Sequence, residues 1–224
     1  KNSNVNNFIF SSSCSIYGNV KGAVSENKKP NPLGYYAYTK YKGENLIKKY
    51  SKKIGYKYSI LRYFNVAGAS PSNKIGEIEK SHDHLFKNIS IQAMKKKPVV
   101  RIYGNNYKTK DGTCIRDFIH VSDLADIHIK CINYLCKKKK SITLNCGYGI
   151  GYSVQEIINI FKKIKKNCRV IYEKRRAGDV DQVYSNINKF KKTFKWKPKH
   201  NNIKKILLSS IKWERKLSKN NVKK

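Results

Sequence analysis

The sequence predicts an α/β fold in which short buried strands alternate with helices. Two apolar runs, residues 5–10 and 58–64, each open into small or polar residues, as buried parallel strands do at their carboxyl ends. Between them lies a helical stretch, residues 36–53, which ends near Gly55. Strand, helix and strand in this order form the repeating unit of a parallel sheet.

The rest of the chain continues this alternation in shorter elements. Pro98 stops a helix over residues 84–97, because proline cannot continue a helix. Ser122 is expected to cap the next helix, and Ser153 with Glu156 forms a capping box ahead of another apolar one. The remaining predicted elements are strands 99–103, 115–121, 141–145 and 169–172, helices 123–136, 186–194 and 203–217, and loops 17–34, 69–84, 105–113 and 174–179.

Length and composition indicate a globular chain of one or two domains. The 224 residues, 39% of them hydrophobic, are enough for a real core. No run approaches the ~20 apolar residues that a membrane-spanning helix needs, and no signal peptide is recognisable, so no membrane association is expected. Lys1 is not a methionine and leads directly into a strand-like run, so we expect a fragment that lacks its N-terminal part.

The formal net charge of +35 allows two interpretations. Basic proteins bind nucleic acids through phosphate contacts. However, Lys, Asn, Ile and Tyr are all abundant, as expected of an AT-rich genome, and the lysines are spread along every element. We therefore expect no nucleic-acid partner, although such a charge attracts anions non-specifically.

The six cysteines are isolated in the sequence. None forms a Cys-x-x-Cys pair, and no histidine spacing completes a zinc site. We interpret each as a buried small hydrophobic residue. Unpaired thiols of this kind are typical of a reducing compartment, so we expect a cytoplasmic protein.

Tyr36 and Lys40 stand four residues apart at the start of the first helix, so they share one helix face. A free tyrosine titrates near ~10 and is a poor base at neutral pH. A cation within a few ångströms favours the phenolate. Such a pair can take a proton from an alcohol while a hydride leaves the same carbon atom.

Further polar residues are expected beside this pair. Ser13 follows the first strand and Asn65 follows the second. Because the carboxyl ends of parallel strands meet at one edge of a sheet, where ligands of open α/β sheets bind, these side chains can lie together. The sequence therefore predicts a cleft in which Ser13, Tyr36, Lys40 and Asn65 meet.

Longer motifs resemble a known family. The segments FIFSSS at 8–13, YG at 17–18, YAYTK at 36–40 and RYFNVAG at 62–68 resemble the extended short-chain dehydrogenase/reductase superfamily. Residues 62–76, 102–107, 111–121 and 175–179 are similar to its UDP-glucose 4-epimerase family. The most specific of these is DGTCIRDFIHV at 111–121, and together the segments keep the family's order over residues 6–215.

The resemblance implies the C-terminal part of a Rossmann-like parallel sheet and a smaller α/β substrate-binding domain. It assigns residues 1–66 and 119–147 to an NAD-binding domain. It assigns residues 67–118 and 148–218 to a UDP-sugar-binding domain, and residues 219–224 to a polar tail.

The resemblance also implies an NAD-dependent isomerase of galactose metabolism that interconverts UDP-glucose and UDP-galactose at sugar C4. Tyr36 would act as base on the 4-hydroxyl while the C4 hydride passes to NAD⁺. The 4-keto sugar would turn in the pocket and receive the hydride on its other face. Lys40 would favour the phenolate and bond the nicotinamide ribose, and Ser13 would hydrogen-bond the 4-oxygen. Family members are commonly dimers, so a homodimer is implied for the full-length protein.

Other positions match the family's ligand contacts. Arg116 and Arg176 match arginines that bind the pyrophosphate, which suits the planar guanidinium. Asp179 matches a ribose contact and Phe64 a position beside the nicotinamide. The positions that match residues lining the UDP and sugar sites are Asn65, His84, Leu85, Arg101 and Tyr103.

Two of the matched positions vary within the family. His84 stands where some members carry Asn. Val183 matches a position beside the sugar that is large in some members, and its small side chain predicts room for an N-acetylated sugar.

One family motif is missing. The Gly-x-x-Gly-x-x-Gly segment that holds the dinucleotide, and the acidic ribose-binding residue after the second strand, do not occur in this sequence. We therefore expect the chain alone to bind NAD poorly and to be inactive.

Several alternatives remain at the level of the sequence. A 4,6-dehydratase would need an acid and a base beside the serine, where this chain has Cys14 and Ser15. Another nucleotide-sugar epimerase or decarboxylase, acting on uronic acids, stays open. From other classes, a catalytically dead relative or a basic nucleic-acid-binding protein would also fit the charge, although the aromatics lie mainly in apolar runs rather than on an exposed basic face.

Overall fold

The computed structural model describes residues 5–78 and 84–221 of the chain. The strands are β1 (Asn7–Ser13), β2 (Ala23–Val24), β3 (Lys57–Tyr63), β4 (Asn65–Ala67), β5 (Val99–Tyr103), β6 (Ile115–His120), β7 (Ile142–Cys146), β8 (Gly151–Ser153), β9 (Arg169–Glu173) and β10 (Gln182–Ser185). The helices are α1 (Tyr35–Ile54), α2 (Leu85–Ala93), α3 (Val121–Lys138), α4 (Val154–Ile164), α5 (Asn188–Phe194) and α6 (Ile203–Asn221), and Cys14–Tyr17 form a single 3-10 turn.

A three-stranded parallel sheet has the order β1-β3-β7. Successive side chains of a strand point to opposite faces, so the contacts of β1 tell which helix covers which face. Phe10 lies against Gly43 of α1, where an added Cβ would come within 2.7 Å of the ring. Asn7 donates to Cys136 of α3 over 3.7 Å. Helices α1 and α3 therefore cover opposite faces of this sheet.

A buried ion pair ties α1 to the sheet. Glu44 is 0% exposed and Arg62 is 3% exposed. Arg62 donates to both carboxylate oxygens of Glu44, from Nε over 2.9 Å and from Nη2 over 2.7 Å. Ser12 donates to the same carboxylate over 2.7 Å. Burial alone would raise the pKa of the Glu44 carboxyl, but its bonds to Arg62 and Ser12 outweigh burial and hold the pKa below its ordinary value.

The other strands form two further groups. A second sheet has the order β2-β10-β6-β4, with β8 antiparallel to β6, and β5 pairs in parallel with β9. One hydrophobic cluster joins the layers, since it contains Leu61 and Leu144 of the first sheet, Ile119 of β6, and residues from α2 to α6. The predicted α/β class with parallel strands is confirmed.

Most predicted elements are confirmed to within a few residues, but one cap is wrong. Helix α3 is capped by His120, whose Nδ1 accepts from the Ser122 backbone N–H over 3.1 Å, and not by Ser122 itself. Helix α2 ends at Ala93, before the predicted end at residue 97. The capping box of Ser153 and Glu156 is present as predicted. The sequence missed β2, β4, β8 and β10, and part of the predicted loop 69–84 and of the tail 219–224 lies outside the described residues.

Replacement of Glu44 by Gln should destabilise the fold strongly. Gln keeps the size of the side chain but leaves the Arg62 guanidinium without its buried countercharge, a change that costs about 3–5 kcal/mol in buried pairs. The free energy of unfolding in urea measures this. Glu173→Gln is the matched control, because Glu173 pairs with Arg101 at the surface and such pairs contribute less than about 1 kcal/mol. Equal effects of the two substitutions would contradict the assigned role.

His120 should make stability depend on pH. Burial, and then the charge of His200 stacked 4.6 Å away, lower the pKa of His120 in the folded chain. As pH falls through ~6.5, the unfolded chain takes up a proton that the folded chain resists, so the free energy of unfolding decreases. His120→Asn keeps a side-chain oxygen that can cap α3 but cannot titrate. Between about pH 7.5 and about pH 5.5 the wild type should lose more stability in urea than this variant; parallel losses would refute the role of His120.

Candidate active site

A cavity of about 370 Å³ opens at the carboxyl edge of β1 and β3. Eleven of the thirteen residues predicted from the sequence line it: Ser13, Tyr36, Phe64, Asn65, His84, Leu85, Arg101, Tyr103, Arg116, Arg176 and Asp179. They come from α1, from the ends of several strands and from the loop after β9. The topology therefore brings together residues that are up to 166 positions apart in the sequence, from Ser13 to Asp179.

Tyr36 and Lys40 occupy the first turns of α1. The side chain of Tyr36 is 61% exposed at the cavity mouth. Lys40 Nζ lies 5.5 Å from the centre of the Tyr36 ring and 5.4 Å from that of Phe10. The same ammonium donates to the Ser11 carbonyl over 2.9 Å. Lys40 does not line the cavity itself; it places a cation between the phenol and the end of β1.

Ser13 ends β1 and caps the 3-10 turn. Its Oγ accepts from the Ser15 backbone N–H over 3.2 Å and from the Ser15 hydroxyl over 2.9 Å. Because both of these bonds use lone pairs of the Ser13 oxygen, the hydroxyl proton of Ser13 is free to point into the cavity. Ser13 is thus arranged to donate to an oxygen of a ligand.

Three guanidinium groups border the cavity. Arg116 donates from Nη1 to the carbonyls of Ile115 and Val180, both over 2.9 Å, and from Nη2 to Asp179 over 3.3 Å. Arg176 lies 4.1 Å above the ring of Tyr103. Arg101 pairs with Glu173 over 3.0 Å. Such a group of planar cations is suited to a ligand with several phosphate oxygens.

Asp117, the neighbour of Arg116, explains why Arg116 faces the cavity. Asp117 is 0% exposed and accepts from the backbone N–H groups of Tyr148, Gly149 and Ser185 over 2.9 to 3.1 Å. Burial raises the pKa of this carboxyl. Since adjacent residues of β6 point to opposite faces, anchoring Asp117 inside turns Arg116 towards the cavity.

Val183 does not line the cavity. It is 7% exposed and packs in a small cluster with Phe64 and residues of the 17–24 loop. It can shape the cavity through Phe64, and its proposed proximity to the sugar stays a prediction.

Some lining residues were not found from the sequence. They include Tyr63, Phe86, Asn88, Cys114, Phe118 and Val154. Tyr63 lies at a strand end immediately before Phe64, and Asn88 lies one helical turn after His84. These places in the sequence are weak indications that the two residues line the cavity. Cys114 sits inside the DGTCIRDF segment but carries no pattern of its own.

The residues after Ser13 do not supply a second acid or base. Burial raises the pKa of Cys14 to about 12, with a smaller opposing effect of the nearby Arg116. A thiol of this kind stays protonated near neutral pH and is a poor acid. The geometry therefore disfavours an elimination that needs an acid and base pair beside Ser13.

No group of three or more His, Cys, Asp or Glu side chains could hold a metal ion among residues 5–78 and 84–221. In the same ranges, no helix combines the length and the hydropathy required to cross a bilayer.

The fold and the site define an α/β protein of the short-chain dehydrogenase/reductase type. Residues 1–147 match the NAD dependent epimerase/dehydratase family, and the chain belongs to that family.

Known relatives are similar over nearly the whole chain. This chain is 34% identical to the UDP-glucose 4-epimerase of Azospirillum brasilense over 215 residues, which are 95% of this chain and 62% of the relative. A crystal structure of UDP-glucose-4-epimerase from Stenotrophomonas maltophila, with bound NAD and formylated UDP-arabinopyranose, superposes with a TM-score of 0.90 at 32% identity and covers 96% of this chain and 65% of that one. The UDP-Glc/GlcNAc 4-epimerase of Campylobacter jejuni superposes with a TM-score of 0.75 at 37% identity, over 94% and 65% of the two chains. The chain therefore spans less than two thirds of the length of these relatives.

Proposed function

We propose that this chain carries the catalytic and UDP-sugar-binding residues for NAD-dependent epimerisation of UDP-glucose and UDP-galactose at sugar C4, through a 4-keto sugar. The observation that supports this best is a single cavity that joins the Tyr36 phenol and the Ser13 hydroxyl to three arginines. A sugar hydroxyl and a diphosphate are the two chemical groups that such a cavity accommodates together.

The proposed proton transfer uses three side chains. Tyr36 takes the proton of the sugar 4-hydroxyl and later returns it, and the Lys40 ammonium lies 5.5 Å from the centre of the phenol ring. Ser13 donates its hydrogen bond to the 4-oxygen. NAD, held at its nicotinamide end by Tyr36, Lys40 and Phe64, would supply the hydride acceptor and donor for sugar C4. A base of this kind contributes about 10²–10⁴-fold to the rate.

Binding of the nucleotide rests on the arginines. Arg116 and Arg176 pair with the diphosphate, and Asp179 accepts from the ribose after it exchanges its bond to Arg116. The residues proposed to line the remaining UDP and sugar contacts are Asn65, His84, Leu85, Arg101 and Tyr103. The small side chain of Val183 leaves room for an N-acetylated sugar. This agrees with the similarity of the chain to an enzyme named for both UDP-Glc and UDP-GlcNAc.

The residues of this chain fit only one end of a dinucleotide. Tyr36, Lys40 and Phe64 would hold the nicotinamide and its ribose, whereas the glycine-rich segment that cradles the phosphates does not occur in the sequence. We propose residues 1–66 and 119–147 as the NAD-binding part, and residues 67–118 and 148–218 as the UDP-sugar-binding part. Without that segment, the chain alone binds NAD poorly. Separately, we propose a homodimer and a cytoplasmic location for the full-length protein.

The chain should bind UDP through Arg116. Replacing Arg116 by Gln removes charge-assisted hydrogen bonds to the phosphates, so UDP affinity should fall about 10–100-fold. Isothermal titration calorimetry at high ionic strength measures this while the surface charge is screened. Arg175→Gln is the matched control, because Arg175 pairs with Asp181 over 2.7 Å outside the cavity lining. Equal affinities of the two variants for UDP would contradict the proposed site.

Tyr36 should be required for turnover. The chain is joined to the glycine-rich NAD-binding segment of a relative and assayed for conversion of UDP-galactose to UDP-glucose. Tyr36→Phe should lower the rate about 10²–10⁴-fold, because the base is lost. Tyr35→Phe, at the neighbouring exposed position, should retain activity. A Tyr36→Phe protein that is as active as Tyr35→Phe would exclude the mechanism.

The same assay with UDP-N-acetylglucosamine as substrate tests whether an N-acetylated sugar fits beside Val183.

A further inference from the structure

Ser11, Tyr63 and His128 form a line of hydrogen bonds beside the cavity. The Ser11 Oγ lies 2.6 Å from the Tyr63 phenol, and that phenol lies 2.6 Å from His128 Nε2. His128 Nδ1 lies 2.8 Å from the Leu124 carbonyl. Tyr63 lines the cavity, and Ser11, which does not line it, is an exposed residue bonded to Tyr63. The mechanism described above gives no task to this line.

The direction of every bond in the line follows from its last member. A backbone carbonyl only accepts, so His128 Nδ1 carries the proton that is donated to Leu124. In the neutral imidazole, Nε2 is then an acceptor, and the Tyr63 hydroxyl donates to it. Burial raises the pKa of the Tyr63 phenol, so it keeps this proton. Its oxygen is left to accept from the Ser11 hydroxyl.

The consequence is a polarised surface at the cavity. Tyr63 has its only proton directed to His128, and Ser11 has its only side-chain proton directed to Tyr63. Both oxygens therefore offer only lone pairs to a ligand. A ligand group placed there gains by donating N–H bonds, whereas a group that only accepts, such as a carboxylate, would meet lone pairs on both oxygens.

We propose that His128 is a positioning residue that makes the Tyr63–Ser11 pair selective for a hydrogen-bond donor on the ligand, a carboxamide in preference to a carboxylate. This proposal rests on the proposed function, because NAD carries a carboxamide on the ring that exchanges hydride, and Tyr63 lines the same cavity as Tyr36 and Phe64. His128 would act only through Tyr63 and would not touch the ligand.

The test compares NAD with its acid analogue, nicotinic acid adenine dinucleotide, on the isotope-labelled chain. Each is titrated at millimolar concentration at mildly alkaline pH, and NMR shifts of Ser11, Tyr63, Phe64 and Tyr36 are followed. Long-range nitrogen correlations of the His128 ring report its tautomer in the same sample. We expect the proton on Nδ1, and an amide form bound about fivefold or more tightly than the acid form.

Variants at His128 separate selection from mere packing. His128→Gln can place its side-chain oxygen near Nε2, so it should keep the preference for the amide. His128→Ala and Tyr63→Phe should lose the preference for the amide. Thermal unfolding of both variants serves as the control that they are folded. The positive charge of the chain favours the more anionic acid form to the same extent in every variant, so the change of the affinity ratio from one variant to the next is informative.

The outcomes are distinct. A proton on Nε2, equal affinity of the wild type for both ligands, an unchanged preference in His128→Ala, or loss of the preference in His128→Gln would overturn the role of His128. Shifts at Phe64 and Tyr36 without shifts at Ser11 and Tyr63 would also overturn it, yet leave the proposed function standing. If neither ligand shifts any of the four residues, this inference is overturned, whereas the proposed function, under which the chain alone binds NAD poorly, is not contradicted.

Discussion

The buried pair of Glu44 and Arg62 is the constraint on which the arrangement of the site depends. Glu44 lies on α1 one turn after Lys40, and Arg62 lies near the end of β3. Because the guanidinium engages both carboxylate oxygens, α1 can neither rotate nor slide on the sheet without breaking a buried ionic contact. The angle at which Tyr36 faces the cavity, and the position of Lys40 beside it, are set by this contact.

The same strand end is held from both sides. Ser12 points to the α1 face and bonds Glu44, whereas Ser11 points to the α3 face and bonds Tyr63. Arg62 extends the first of these networks to Tyr17, whose hydroxyl donates to Asn145 of β7 over 2.7 Å. Ser13 follows two residues that are fixed on opposite faces, so its position needs no contact with a ligand to be defined. Under the proposed function, this preorganises Ser13 for the sugar oxygen that it would position.

The sequence predicts this site well where the residues follow strand ends or a helix period, and poorly where distant side chains meet. Tyr36 and Lys40 could be paired from their spacing alone, and Ser13 and Asn65 from their places after apolar runs. The pairing of Tyr63 with His128 joins positions 65 residues apart and leaves no periodic signal. The histidine cap of α3 was missed because Ser122 is the better intrinsic cap, and the tertiary fold prefers His120. Strands β2, β4, β8 and β10 have two to four residues each, and only their partners make them strands.

The large positive charge and the arginine site are separate matters. The chain has 14 acidic residues against 49 basic ones, and yet Glu173, Asp179 and Asp181 all pair with arginines at or beside the cavity. An arginine paired in this way attracts stray anions less than a free lysine does, because its charge is already compensated. A ligand must therefore offer more than one negative charge to replace Asp179 as the partner of Arg116. It must also bring a hydrogen-bond donor for the Asp179 carboxylate. A diphosphate joined to a ribose would meet both demands, so under the proposed function the acidic partners sharpen, rather than weaken, the selectivity of the site.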